Sequence, residues 1–185
     1  MPDFVTALVA FVGGMLPAFA WLWFWLREDA EHPEPRRLIT YAFIAGMATV
    51  AIVVPIELFV KMLLVGDTAV FTAWSAIEEV MKFAAASMVV LWRREDDEPI
   101  DAVIYMIVVG LGFAAAENTI FLLSPISGST VFQTILSGNF RFVGATLVHV
   151  LSSATVGIAL ALAFYRSRRT RILFAICGVL LCMWL

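Results

Sequence analysis

The sequence predicts an all-α, polytopic membrane protein of about six transmembrane helices, with its N-terminus outside. Three observations predict it. The 185 residues are 62 % hydrophobic and 15 % charged, with a mean hydropathy of +0.95, whereas soluble domains are about half apolar and a quarter charged. A water-soluble globule of this size has too little interior to hide that much apolar surface. The apolar residues fall in runs of about the 20 residues needed to cross a bilayer, and basic residues occupy alternate breaks between the runs. A soluble enzyme, a disordered tail and a disulfide scaffold are excluded. The net charge of −3 gives no footing for nucleic acid.

The first run, Phe4–Leu26, follows a start that carries Asp3 and no basic residue. A cleavable secretory leader begins positive, so this run is expected to stay as a span. Leu38–Val65, Val70–Trp92, Ile100–Leu123 and Phe140–Tyr165 follow as spans two to five. The sixth, Ile172–Leu185, provides only about 21 Å of helix against about 30 Å of hydrocarbon, so a truncated last helix is expected. No break is long enough to hold a second domain, and residues 1–185 are expected to form one integral-membrane domain. Cys177 and Cys182 lie on one run and read as small packing residues rather than a disulfide.

Arg27, Arg36 and Arg37 occupy the first break, Arg93 and Arg94 the third, and Arg166, Arg168, Arg169 and Arg171 the fifth. The second (Gly66–Ala69) and fourth (Ser124–Asn139) have no basic residue. The positive-inside rule places loops one, three and five in the cytoplasm of a multi-pass protein of the cell membrane. Nothing in the sequence sets an oligomeric state.

Ionisable groups inside spans are costly and mark pairing, cavities or chemistry. Glu78 and Glu79 lie about 12–14 Å below the outer edge of span three, Glu117 about 9 Å below the outer edge of span four, and His149 about 14 Å below that of span five. Three helices thus place polar groups in one layer. Lys82 is within helical reach of both Glu78 and Glu79, so one carboxylate can pair with it while the other faces a cavity. Two close carboxylates in a low dielectric cannot both ionise easily, which suits general acid/base work. The structural alternative is a buried Glu–Lys pair that fixes packing. Asn118 can bond across helices, and His149 heads a face of small and hydroxyl residues that includes Ser152 and Ser153. Glu57 and Lys61 read as a structural pair, and Arg141 as snorkelling outward or pairing with a site carboxylate. Glu79, Glu117 and His149 could hold a divalent metal such as zinc, but the set is carboxylate-rich for zinc. A water activated by a carboxylate, with no metal cofactor, is favoured.

Ile77-Glu-Glu-Val-Met-Lys-Phe83 resembles the E-E-x-x-K-F motif of PrsW-type intramembrane proteases. Gly112-Phe-Ala-Ala-Ala-Glu-Asn118 resembles their second motif, and Arg141 followed by His149 their third. The run from Pro17 to Phe24 and Pro33-Glu-Pro-Arg-Arg37 are also similar to their first span and loop. The resemblance extends to the CAAX-protease and bacteriocin-processing superfamily, whose F-x-x-x-H becomes Phe113 to Glu117 here and whose H-x-x-x-N becomes His149 to Ser153. It implies that Glu78 or Glu79 activates the hydrolytic water, that Glu117 assists and that His149 stabilises the oxyanion. It also implies a membrane-anchored substrate of the anti-sigma-factor kind, cut on the extracytoplasmic side. Two other classes use the same residues: a small transporter or proton relay, and a non-catalytic membrane scaffold. A transporter calls for inverted repeats or polar groups reaching both faces, which this sequence lacks.

Overall fold

The computed structural model describes residues 4–28, 33–123 and 131–182, apart from the side chains of residues 5–7, 9, 28 and 131–143. Six helices follow in order: α1 Phe4–Glu28, α2 Arg36–Leu63, α3 Asp67–Val89, α4 Pro99–Leu123, α5 Val131–Leu162 and α6 Arg168–Cys182. They coincide with the apolar runs, with one clear difference. Helix α5 begins at Val131, not near Phe140, so the expected Ser124–Asn139 loop is shorter, and residues 124–130 lie outside the described residues.

The expectation of six spans is corrected. Among the described residues, four helices are long and apolar enough to cross a membrane: α1, α2, α4 and α5. Every span-length stretch of α3 contains Glu78, Glu79 and Lys82, and α6 has 15 residues. The outward N-terminus is withdrawn with the six spans, because the alternation of loops on which it rested requires each helix to cross. The truncated last helix finds no support either. Helix α6 packs along α5, where Gly178 meets Val156 and Ala159. The chain is a multi-pass membrane protein with four span-length helices among its described residues.

Helix α4 is the centre of the bundle, with 78 % of its apolar window buried. It packs against α1 and α2 on one side and α5 on the other. Small residues permit this approach. A Cβ built on Gly112 would lie 2.0 Å from the Phe43 carbonyl oxygen, and one on Gly46 would lie 2.1 Å from that of Val109. The outer faces carry exposed Ile44, Leu58, Phe71, Leu151 and Leu162, apolar surface suited to lipid. Gly66 turns the chain between α2 and α3 at φ 96°, which only glycine adopts without strain. That turn makes α2 and α3 an antiparallel pair.

The basic breaks converge at one end of the bundle. Arg171 Nη2 pairs with Asp96 Oδ2 at 3.0 Å. Trp92, held at φ 73°, donates its backbone N–H to the same Asp96 oxygen at 3.2 Å. Its ring lies under Arg168 and Arg171, at 5.0 and 4.5 Å, an arrangement that favours the cations. From the first break, Glu34 accepts a hydrogen bond from Tyr105 of α4. Residues distant in sequence thus tie three loops together.

Candidate active site

Helix α3 contributes Glu78, Glu79 and Lys82, which share one side of the helix because residues three and four apart are neighbours. Lys82 is fully buried and Glu79 nearly so. The Lys82 Nζ donates to Glu79 Oε1 at 2.7 Å and stands 3.5 Å from Glu78 Oε2. Helix α5 brings His149, whose Nδ1 lies 2.9 Å from Lys82 Nζ and 3.5 Å from Glu78 Oε2. Helix α4 brings Glu117, whose Oε2 lies 2.9 Å from His149 Nε2. An ammonium only donates, so the network assigns Nδ1 as acceptor. The proton then sits on Nε2, which donates to Glu117.

The surroundings reinforce this arrangement. The Phe113 ring lies 4.4 Å from Lys82 Nζ and meets the His149 ring edge-on at 5.2 Å. Ser152 Oγ donates to Glu79 Oε1 at 2.7 Å, so one carboxylate oxygen accepts from a lysine and a serine. The other, Glu79 Oε2, is buried with no partner among the described residues. Cys182 of α6 donates its thiol to the Ser152 carbonyl at 3.0 Å. A cavity of about 280 Å³ opens beside the cluster, lined by Glu78, Glu79, Glu117 and His149 with Phe71 and Trp74. Side-chain exposure grades outward: 3 % for Glu79, 18 % for Glu78 and 27 % for Glu117, so the last two face the opening.

The four residues singled out by depth, Glu78, Glu79, Glu117 and His149, meet in one place, with Lys82 among them. Asn118 bridges α4 to α5 by donating to Thr146 Oγ1 at 3.2 Å. Ser153 is fully buried against Gly110, and its Oγ has no hydrogen-bond partner among the described residues; its neighbour Ser152 reaches the cluster. The side chain of Arg141 lies outside the described residues. Glu57 departs from its expected pairing. Lys61 is exposed, while Glu57 comes within hydrogen-bond reach of Glu78 and keeps its Oε1 buried without a partner among the described residues. Trp74 Nε1 donates to the Glu57 carbonyl at 3.1 Å, which fixes α2 beside the cavity. The Gly66 turn, which lays α2 alongside α3, was the available signal for Glu57. For Ser152 it was the three-residue spacing from His149.

Glu78, Glu79 and His149 offer donor atoms within 4.8 Å of one another, close enough to share a divalent metal. Glu78 takes the place that the sequence reading gave to Glu117, which instead bonds to the far nitrogen of His149.

The sequence pattern described as PrsW family intramembrane metalloprotease matches residues 34–185. Protease PrsW of Geobacillus kaustophilus (strain HTA426) is 28 % identical over 146 residues, which cover 69 % of this chain and 63 % of that protein. The chain therefore spans less than two thirds of the length of this curated relative. No solved structure matches. The matched region contains every helix of the Glu/Lys/His cluster, and on that extent the chain belongs to the PrsW family of intramembrane proteases.

Proposed function

We propose that this protein is an intramembrane endopeptidase that hydrolyses a peptide bond of a membrane-anchored protein through a glutamate-activated water. The observation that supports it best is the convergence of three carboxylates and one imidazole on a cavity within an apolar bundle. Glu78 is the general base. It faces the cavity, its Oε2 stands 3.5 Å from both Lys82 Nζ and His149 Nδ1, and Glu57 is within hydrogen-bond reach; neither charged contact is close, so the carboxylate has capacity left for a water. Glu79 is the anchor, because its Oε1 already accepts from Lys82 and Ser152.

Hydrolysis then follows from these positions. The water oxygen attacks the carbonyl carbon as Glu78 takes its proton. The oxyanion that forms takes the Nε2–H of His149, displacing Glu117 from that donor. When the C–N bond breaks, the proton on Glu78 passes to the departing amine. Glu117 holds the imidazole plane until substrate arrives. Glu117 lies toward the end of α4 away from the basic breaks, and the family resemblance gives the side of cleavage as extracytoplasmic. The family resemblance gives the substrate as a regulatory protein of the anti-sigma-factor kind.

The test is cleavage of single-span reporter proteins by the purified chain in liposomes. Glu78→Gln is expected to lower the rate about 10²–10⁴-fold, and His149→Ala about 10²–10³-fold. Glu117→Gln should fall less, because an amide oxygen still accepts from Nε2–H. A wild-type rate in all three variants would leave the cluster a packing device. Loss in Glu79→Gln with a normal rate in Glu78→Gln would exchange the two glutamates' roles.

A further inference from the structure

We propose that the cation of this site is the Lys82 ammonium, which fills the seat that a divalent metal would need. The inference builds on the site reading above, yet it is read out by binding rather than cleavage. An ammonium has three N–H donors, and three acceptors surround this one: Glu79 Oε1 at 2.7 Å, His149 Nδ1 at 2.9 Å and Glu78 Oε2 at 3.5 Å. The face of Phe113 covers the remaining side at 4.4 Å. Lys82 is fully buried, so its charge has no route to water that leaves these contacts intact.

Those acceptors belong to the three residues whose donor atoms converge closely enough for a metal. Zinc binds carboxylate and imidazole at about 2.0–2.2 Å. Around Lys82 Nζ the two nearest acceptors stand at N–H hydrogen-bond lengths and the third further out. An added dication would lie within a few ångströms of the ammonium in a poorly screened interior, where like charges repel strongly. The Nδ1 lone pair also cannot serve both cations. The residues as folded therefore do not fit the metal that the family's description names. Lys82 is instead a positioning residue. It neutralises Glu79, fixes Nδ1 of His149 as an acceptor and so directs Nε2–H toward Glu117 and the cavity.

The experiment titrates the purified full chain, in nanodiscs, with Co²⁺ followed by its visible absorption and with Zn²⁺ followed by metal analysis after desalting. The wild type is expected to bind neither ion stoichiometrically. Lys82→Met keeps the side-chain length and removes the charge. Removing a like charge from beside an ionic site is worth about one to three powers of ten, so Co²⁺ should bind Lys82→Met about 100-fold more tightly. Adding His149→Ala to Lys82→Met should abolish that gain. Stoichiometric binding by the wild type that His149→Ala removes would overturn the proposal. So would a Lys82→Met chain that keeps its helical circular dichroism and still binds no ion. The wild-type titration alone decides the matter if Lys82→Met fails to fold. Reporter cleavage without and with strong chelator is the parallel arm: no cleavage in either would sink the protease reading and leave the metal result standing, whereas cleavage that chelator abolishes would overturn the proposal.

Discussion

At the scale of single residues, Ser152 and Ser153 show how one position along a helix decides a role. The two serines are adjacent on α5 and both buried. Ser152 donates to the Glu79 carboxylate, while the Ser153 hydroxyl has no partner among the described residues. Ser152→Ala is expected to lower stability by about 1–2 kcal/mol, the range for a hydrogen bond to a charged group inside a membrane protein. Ser153→Ala should stay within about 0.5 kcal/mol, because no bond is lost. Thermal unfolding of both variants in nanodiscs measures the difference, and equal losses would contradict the assignment of Ser152 to the cluster. Lys82 makes the same point at higher stakes: one side chain connects α3 to α5 and sets the proton on His149.

At the scale of elements, the site depends on how closely α4 approaches its neighbours. Gly112 and Gly46 let α2 and α4 touch along their backbones. Gly112→Ala would place a methyl 2.0 Å from a carbonyl oxygen, an atom that cannot turn aside as a side chain can. The expected loss is about 3 kcal/mol or more, with Phe113 displaced from Lys82. Gly144 on α5 meets nothing within 4 Å, so Gly144→Ala should be neutral or gain up to about 1 kcal/mol from helix propensity. Chemical denaturation of the pair separates a packing glycine from a tolerated one. Helix α3 behaves differently from the spans around it. Its buried charges are compatible with a membrane bundle because α5 supplies partners for them: Ser152 for Glu79, and His149 for Lys82 and Glu78.

At the scale of the whole molecule, the bundle has two ends of different character. One end gathers the basic breaks around Asp96, Trp92 and Arg171; the carboxylate cluster lies further along the helices. Asp96 and Arg171 are both largely buried, and removing one partner of a buried pair leaves the other charge uncompensated. Asp96→Ala is expected to cost about 3 kcal/mol and to release Trp92 from its left-handed backbone. Intrinsic tryptophan fluorescence and thermal unfolding would report it. Because this end is remote from Glu78 and His149, reporter cleavage per folded molecule should stay near wild type.

The sequence by itself determined the helical class, the order of the helices and which ionisable residues stand inside apolar runs. Glu78, Glu79, Glu117 and His149 stand out because a charged or titratable residue within an apolar run is visible without knowledge of neighbours. It also made the family legible, since the E-E-x-x-K-F, Phe-to-Glu and Arg-to-His spacings sit on single helices. The number of spans was misjudged because hydropathy weighs each segment alone, whereas the fate of α3 depends on partners from α4 and α5. Only the tertiary structure decided which glutamate faces the cavity, that Ser152 rather than Ser153 joins it, that Glu57 turns to Glu78, and that Lys82 lies between Glu79 and His149. Those outcomes depend on the rotation of each helix about its axis. Rotation is set by backbone contacts such as Gly112 on Phe43, between residues far apart in the chain, and no local pattern in the sequence encodes it.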